Sequence, residues 1–523
     1  MNSSVLTQIR GREDAQSLIV PVCLSILCGL GIVFAFELRL AFQIALAAGF
    51  IGTAVFFICP NKRILLVVAW ILLHPLSLEK IFTVGQPLLP GFLPPYVILS
   101  GSDIALYALL IALLLEAAYT GKKAWFWSTA LTPLAILTIW AIIVFFVRGA
   151  SLISALATFH TLKMLLFVLI LSSAIRTREE FILTIIAIAL AVGIQDIMVG
   201  LAHATGKIVF ATPKLNISLL TFSGSEGEQY IRATGTLGHV NQQASFLTFF
   251  VLPLFGLLSV KNKIWKAFGI AIISSALVAV ILTFSRSAWV SYALAIFAIL
   301  VYIAVTLPFS KKQWVAFSVT VIVFISVLLV YQRPIMNRII YGDEGATDSR
   351  KRAMNLALDL IAANPLLGAG PGNLPRASLQ MYPPSRLDVV WLKPDDPNQD
   401  WMYRYGRLEV APVETADNQV YGIPVTVHNK YMIVLSELGI IGLFLFLWFQ
   451  WRIFQHIRIA LKAKDKFLFW SALGIMGAFF ASQSYMNLDL FAGDKSMAIL
   501  LIIPVLAVSL SRIVRAVPEG AAR

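Results

Sequence analysis

Residues 264–307 read IWKAFGIAIISSALVAVILTFSRSAWVSYALAIFAILVYIAVTL. Between Ala267 and Leu307 this run carries a single charged residue, Arg286, inside the short polar break Thr283-Phe284-Ser285-Arg286-Ser287-Ala288-Trp289. A helix needs about 20 apolar residues to cross a bilayer. The run therefore reads as two spans, 264–284 and 288–307, folded back through a very tight turn. That turn places the Arg286 guanidinium near headgroup depth, with hydrocarbon-spanning helices on both sides.

The same pattern extends over the whole chain. Its 523 residues are 59% hydrophobic and 13% charged, with a mean hydropathy of +0.83. A water-soluble globular enzyme of this length is excluded, because so little polar surface cannot cover its core. Spans are expected at 18–36, 40–59, 64–76, 104–119, 127–147, 155–175 and 181–201. Beyond a polar interval they continue at 245–260, 264–284, 288–307, 314–331, 431–449, 467–485 and 497–513. The fold class is an all-α polytopic membrane protein of about 14 transmembrane helices with one large outer loop. The first apolar stretch, after Arg10 and Arg12, is too long for a signal-peptide core and reads as an uncleaved span. Cys23, Cys28 and Cys59 all lie in apolar runs, which supports neither a disulfide framework nor a zinc site.

The net charge of +14 would suggest nucleic acid in a soluble protein. Here the positive residues sit in short loops between spans, where they set topology, and no nucleic-acid partner is expected. Alternate connections hold Lys62 and Arg63; Lys122 and Lys123; Arg176 and Arg178; Lys261, Lys263 and Lys266; Lys311 and Lys312. Arg452, Arg458, Lys462, Lys464 and Lys466 follow, and Arg512, Arg515 and Arg523 complete the series. These inside segments carry roughly 21 basic residues against about five in the short outside loops, which puts both termini in the cytoplasm. The chain then divides into helices 1–203, a region 204–331 with arginine motifs, a large outer loop 332–430, and helices 431–523. Within the large loop, Ala353–Ala363 has helical spacing and ends at Asn364-Pro365, so an amphipathic helix is expected there.

Four segments gather polar residues at outer span ends. The first runs from Arg232 through Gly235, Gly238 and His239 to Asn241-Gln242-Gln243, and the second is the Arg286 turn. The third joins Asp348-Ser349-Arg350 to Asn364-Pro365-Leu366-Leu367-Gly368-Ala369-Gly370-Pro371-Gly372-Asn373. The fourth is His428-Asn429-Lys430-Tyr431, continuing into Ser436-Glu437-Leu438-Gly439. Each has an ordinary reading: Arg286 as a snorkelling turn residue, Arg232 as a solvated loop arginine, His428 as an interfacial histidine. The glycine run lacks the strand and the Lys-Ser/Thr ending of a phosphate loop, and a glycine C-cap with a turn accounts for it better. Together, arginines neutralise a diphosphate through bidentate hydrogen bonds, and a histidine of near-neutral basicity takes a proton from a hydroxyl. The set reads as a group-transfer site for a lipid diphosphate donor.

In order and type these motifs resemble the O-antigen ligase and polymerase superfamily over about 232–449. The blocks are Arg-x-x-Gly-x-x-Gly-x-x-Asn, Ser-Arg-x-x-Trp, Arg with Asn-Pro-Leu-Leu-Gly-x-Gly-x-Gly-Asn, and His-Asn-x-Tyr with Glu-Leu-Gly-Ile-Ile-Gly. Met354 stands where that family often has an aromatic residue four after the arginine. The resemblance implies a GT-C-like inverting glycosyltransferase at the periplasmic face of the bacterial inner membrane. It implies an undecaprenyl-diphosphate-linked oligosaccharide donor and a glycan or lipid A-core acceptor, with a flippase and a chain-length regulator as partner proteins. No cofactor, nucleotide sugar or metal is implied. It assigns Arg232 and Arg286 to the donor diphosphate, Arg350 to the same charge or to the loop's fold, and His428 to the acceptor hydroxyl as general base. Asn429 and Glu437 join them as substrate-binding candidates.

Asp395, Asp396 and Asp400 form a carboxylate cluster best read as solvated. Lys163 and Asp196 lie inside spans and are candidates for an interhelical pair, with snorkelling of Lys163 an equal alternative. A polymerase is slightly favoured over a ligase by the number of spans and the length of the outer loop. The alternative from another class, a transporter or lipid-linked glycan flippase, would place its ionisable groups near mid-membrane and show internal symmetry.

Overall fold

The computed structural model describes residues 61–76, 79–83, 96–206, 221–223, 229–237, 239–306, 332–340, 346–374, 377, 413–414, 420–421, 427–489 and 494–516. Helix α1 (Lys62–Leu73) ends in a 3-10 turn (His74–Leu76). Antiparallel strands β1 (Glu79–Thr83) and β2 (Tyr96–Ser100) lead into α2 (Gly101–Thr120). Next come α3 (Leu131–Val147), α4 (Leu152–Ala174) and α5 (Arg178–Thr205). A second hairpin, β3 (Thr221–Ser223) and β4 (Gln229–Ile231), precedes α6 (Val240–Val251), which continues as a 3-10 segment (Leu252–Ser259). Then follow α7 (Lys263–Leu282), α8 (Arg286–Thr306), α9 (Gln332–Ile340) and α10 (Ala346–Ala363). A two-residue pairing of β5 (Val413–Glu414) with β6 (Val420–Tyr421) comes before α11 (Lys430–Ala460), α12 (Lys466–Leu488) and α13 (Asp494–Ala516).

The protein is thus a mostly helical, multi-pass membrane protein. Among the described residues nine helices are long and apolar enough to span a bilayer. The expected spans at 64–76 and 127–147 correspond to the shorter helices α1, of 12 residues, and α3, of 17. Those at 18–36, 40–59 and 314–331 lie outside the described residues, as do the aspartates at 395, 396 and 400. The amphipathic helix expected at Ala353–Ala363 is the second half of α10, which begins seven residues earlier. Its Ala353, Ala357 and Leu360 are buried with Leu374 and Val427.

Helix α12 is central. It packs along α8 and the 3-10 segment on one side and against α11 and α13 on the other. Small residues make that closeness possible: a Cβ on Gly474 would overlap the Leu252 carbonyl, and one on Gly477 would meet Ile299. The helix ends sort by charge. At one pole Arg63 contacts Glu116 (3.2 Å) and Glu180, Arg176 contacts Glu116 (2.7 Å), and Arg178 contacts Asp465 (2.9 Å). These ion pairs tie together the ends of α1, α2, α4, α5 and α12. Alternation of the helices puts the start of α6, the α7–α8 turn, the start of α11 and the end of α12 at the other pole.

The pairing of Lys163 with Asp196 is corrected by the structure. Lys163 Nζ lies 2.7 Å from Asp103 Oδ1, the carboxylate that also caps α2 in a capping box with Ser100. Asp196 instead accepts a hydrogen bond from Ser275 Oγ at 2.6 Å. Asp103 lies just before the span expected at 104–119, so position along the chain did not suggest it, and the packing of α2 on α4 makes it the partner. Lys163→Met strips this mostly buried carboxylate of its cation and is expected to cost about 3 kcal/mol of stability, while Lys163→Arg keeps most of it. Unfolding of the two variants in detergent checks this, and unchanged midpoints would show that the pair contributes nothing.

Candidate functional site

The site begins with the turn between α7 and α8. Antiparallel helices joined by Thr283, Phe284 and Ser285 leave almost no slack, and Phe284 takes a left-handed backbone with φ of 47°. That conformation is strained for a residue with a bulky side chain. It is held by hydrogen bonds from Phe284 N–H to Ile281 O (3.0 Å) and from Thr283 N–H to Ala279 O (3.2 Å), and by burial of the phenyl ring. The outward carbonyls of the turn receive two guanidiniums: Arg232 Nε donates to Thr283 O and Arg338 Nε to Phe284 O, each at 3.3 Å. Arg286, half-buried, is the first residue of α8. The turn is therefore a hub for three arginines from three parts of the chain.

Arg338, on α9, was not singled out by its sequence context. It is buried, and Asn337 Nδ2 on the same helix donates to Tyr230 OH of β4 at 3.4 Å. Burial, with repulsion from Arg286 and then Arg350, lowers its pKa to about 10. Arg350, exposed on the first half of α10, also acts on Arg286. So Arg286, Arg338 and Arg350 lie within electrostatic reach of one another. A focus of like charge at a helix N-terminus favours an anion.

Arg232 is held further in. Its Nη2 donates to Asn241 Oδ1 (3.3 Å), which also accepts from Ser285 Oγ (3.1 Å). Tyr485 OH, on α12, donates to the Asn241 backbone carbonyl at 2.8 Å and lies 3.4 Å from Ser285 Oγ. The preceding loop is pinned by a reciprocal pair: Gln195 Nε2 donates to Thr236 Oγ1 (2.8 Å), and Thr236 N–H donates to Gln195 Oε1 (3.0 Å). A Cβ on Gly235 would overlap the side-chain amides of Gln195 and Gln243 and displace them. His239 caps α6, its Nδ1 accepting from Asn241 N–H at 3.2 Å.

His428 stands just before α11. Its Nδ1 lies 3.7 Å from Asp489 Oδ1, a charge contact longer than a hydrogen bond. Asp489 is the C-cap of α12, with its N–H on Tyr485 O at 2.9 Å. Tyr485 and Asp489 thus occupy one helical turn, the first supporting the arginine network and the second facing the histidine. Neither was legible as a site residue, because each lies past the motifs that suggested the site. Asn429 is engaged structurally: Oδ1 accepts from Met432 N–H (3.1 Å) as the cap of α11, and Nδ2 donates to Asn487 Oδ1 (3.4 Å).

Glu437 and the glycine run form a separate joint. Helix α11 breaks at Gly439 (φ 68°, ψ −172°), and a break at membrane depth must have its backbone groups answered by protein. Ala369 N–H donates to Ser436 O (2.8 Å), Gly370 N–H to Glu437 O (2.9 Å), and Ile440 N–H to Pro365 O (2.9 Å). Trp140 Nε1 donates to Leu438 O at 2.9 Å. In return the Glu437 carboxylate accepts from the backbone N–H groups of Gly372 and Leu374. The glycine run is a backbone latch on a broken helix. Gly439→Ala would put a side chain into the Leu366 carbonyl on left-handed backbone. A loss of about 2–4 kcal/mol is expected, seen as a lowered melting temperature and new proteolytic cuts between 364 and 374. Gly200→Ala, with open space around it, is the neutral control.

Fold and site together define a membrane-embedded protein with an arginine- and histidine-bearing pole. Residues 270–447 match the family model described as O-Antigen ligase. Over this segment the chain is similar to that family, and Arg286, Arg350 and His428 lie within it. Arg232, Tyr485 and Asp489 fall outside the matched stretch. No curated protein matches the chain.

Proposed function

We propose that the protein is a membrane glycosyltransferase of the O-antigen ligase/polymerase type. It takes a glycan from a polyprenyl-diphosphate carrier, in bacteria undecaprenyl diphosphate, and delivers it to an acceptor hydroxyl at the periplasmic face of the inner membrane. The observation that carries this reading is the last turn of α12, where Tyr485 holds the Asn241 carbonyl beside Arg232 and Asp489 lies 3.7 Å from His428.

The chemistry follows from the parts. The diphosphate lies against Arg286 and Arg232, with Arg338 and Arg350 adding positive potential. The acceptor oxygen attacks the anomeric carbon from the face opposite the phosphate, forming the new glycosidic bond as the carbon–phosphate-oxygen bond breaks. The configuration inverts. The leaving lipid diphosphate keeps the bonding electron pair, and the guanidiniums stabilise the charge that develops on it. His428 accepts the hydroxyl proton and passes it to solvent. Asp489, within charge reach of Nδ1, stabilises the imidazolium that forms. On this reading Glu437 and Asn429 shape the floor of the site through the loop and the cap.

The experiment uses full-length protein in detergent or nanodiscs, with a polyprenyl-diphosphate-linked repeat unit and candidate acceptors, and resolves products by gel and mass. Lengthening by whole repeats marks a polymerase; transfer only onto a lipid A-core acceptor marks a ligase. Movement of the lipid across liposomes without transfer would sink the enzyme reading in favour of a flippase. Arg286→Ala is expected to abolish transfer with membrane insertion intact. Arg286→Lys is also impaired, since an ammonium cannot reproduce the bidentate fork. His428→Ala is expected to slow the chemical step by about 10²–10⁴-fold with little change in donor affinity; equal losses in both would refute the base. Activity is expected to survive a chelator, and inhibition reversed by added metal would overturn the metal-free scheme.

Tyr485→Phe tests the positioning network. Losing the O–H that holds the Asn241 carbonyl is expected to raise the donor KM by about tenfold, the equivalent of one lost hydrogen bond at the clamp. The acceptor KM stays unchanged. A variant that loses only thermal stability would reduce Tyr485 to a packing residue.

A further inference from the structure

A cavity of about 370 Å³ lies among α3, α4, α11, α12 and α13, within the ~300–1,000 Å³ typical of ligand pockets. At the arginine–histidine pole it is lined by Gly372, Lys430 and Glu437, and it runs past Met164 and Leu501 to Ile453. From Lys430 to Ile453 along α11 is roughly 35 Å of helix, enough to cross the hydrocarbon layer. Leu134, in the first turn of α3, lines its far end. Several polar side chains in its wall are turned back onto protein. Thr161 Oγ1 donates to Ala157 O (3.2 Å), Ser482 Oγ to Phe479 O (2.7 Å), and Gln450 Oε1 accepts from Gln483 Nε2 (3.1 Å). What remains is a long apolar slot with a polar mouth, the shape and chemistry of a hydrocarbon chain with its headgroup at the surface.

Helix α12 decides which chain. Its Phe479 and Ser482 line the slot, whereas Tyr485 reaches Asn241 and Ser285 on the arginine side. A diphosphate at Arg286 is therefore across α12 from the slot, and its tail has a ready path down the lipid-exposed side of α8, along Val290, Leu294, Phe297 and Val301. Lys430, at the mouth, is two residues after His428. A lipid seated in the slot presents its headgroup next to the histidine and away from the arginines. We propose that this cavity binds a hydrocarbon chain of a lipid-borne acceptor glycan. The word acceptor rests on the function proposed above; the presence of a chain in the slot does not.

The test uses the full-length protein in nanodiscs and three photoreactive probes with a diazirine on the chain. One is a glycolipid with an uncharged sugar headgroup, one a polyprenyl diphosphate, and one a phosphatidylglycerol. Labelled peptides are mapped by mass spectrometry. The glycolipid is expected to label 157–164 of α4 and 497–504 of α13, with competition by unlabelled glycolipid. Slot-filling Thr161→Trp and Leu501→Trp should each reduce that labelling by about tenfold. Labelling of α8 by the polyprenyl diphosphate should be unaltered, which also shows that each variant is folded. Slot labelling by the polyprenyl diphosphate that disappears in Arg286→Ala would assign the cavity to the donor and overturn the proposal. Equal labelling by phosphatidylglycerol that glycolipid does not displace would make the occupant a structural lipid and overturn it as well. If labelling is as expected but no glycan transfer occurs with any acceptor, the function fails and the chain site stands.

Discussion

A guanidinium at the edge of a bilayer must have its N–H groups answered, and a tight turn between two spans has carbonyls that need donors. The Thr283–Ser285 turn solves both problems at once: Arg232 and Arg338 each give a hydrogen bond to one of its carbonyls. That exchange fixes two side chains from distant parts of the sequence relative to Arg286. It also explains why a strained Phe284 is tolerated, since the strain of about 1–3 kcal/mol is offset by the bonds on both sides of it. Asn241, Ser285 and Tyr485 then hold Arg232 by a second route. The placement of α6, α9 and α12 around the turn follows from these contacts as much as from apolar packing.

The same constraint, that backbone polar groups inside a membrane must be satisfied by protein, shapes the other half of the pole. Helix α11 breaks at Gly439, and the loop following α10 supplies the missing partners residue by residue. Because Val427 and the α10 face form one small apolar cluster with that loop, the break, the latch and the approach to His428 are one mechanical unit. On the proposed function, such a latch would hold His428 at a fixed height above the hydrocarbon to meet its substrate. Asp489 contributes from the other side, from a helix end that is itself held by Tyr485.

Much of this was legible in the sequence for a simple reason: a charge in a long apolar run has no ordinary place to be. Arg286 announced the turn, and alternation of basic loops put Arg232, Arg350 and His428 on one face before any coordinates. Arg338, Tyr485 and Asp489 gave no such signal. An arginine in a polar loop, a tyrosine at a span end and an aspartate after it are common residues, and only three-dimensional packing makes them partners. Glu437 shows the opposite case. As a carboxylate within a span it stood out as a substrate group, and the structure adds that it accepts from the backbone of Gly372 and Leu374. For Lys163 the sequence offered Asp196 inside a span, and helix packing gave Asp103 at a span end instead.

The division of the pole by α12 gives the reaction a direction. On the proposed function, cations gather on one side, where a departing diphosphate would need them, and His428 stands on the other, where an incoming hydroxyl would arrive. An inverting displacement requires nucleophile and leaving group on opposite faces of the sugar carbon, so the reacting centre belongs between the two, over the last turn of α12. Arg286, Arg338 and Arg350 repel one another, and on the proposed function a bound diphosphate would relieve that repulsion. The site is therefore most tightly organised when the donor is present. Once the glycan has moved on, the free lipid diphosphate carries more charge than the linked one, and the same cations hold it more strongly. Release of that product, rather than bond formation, then becomes the natural slow step of such a site.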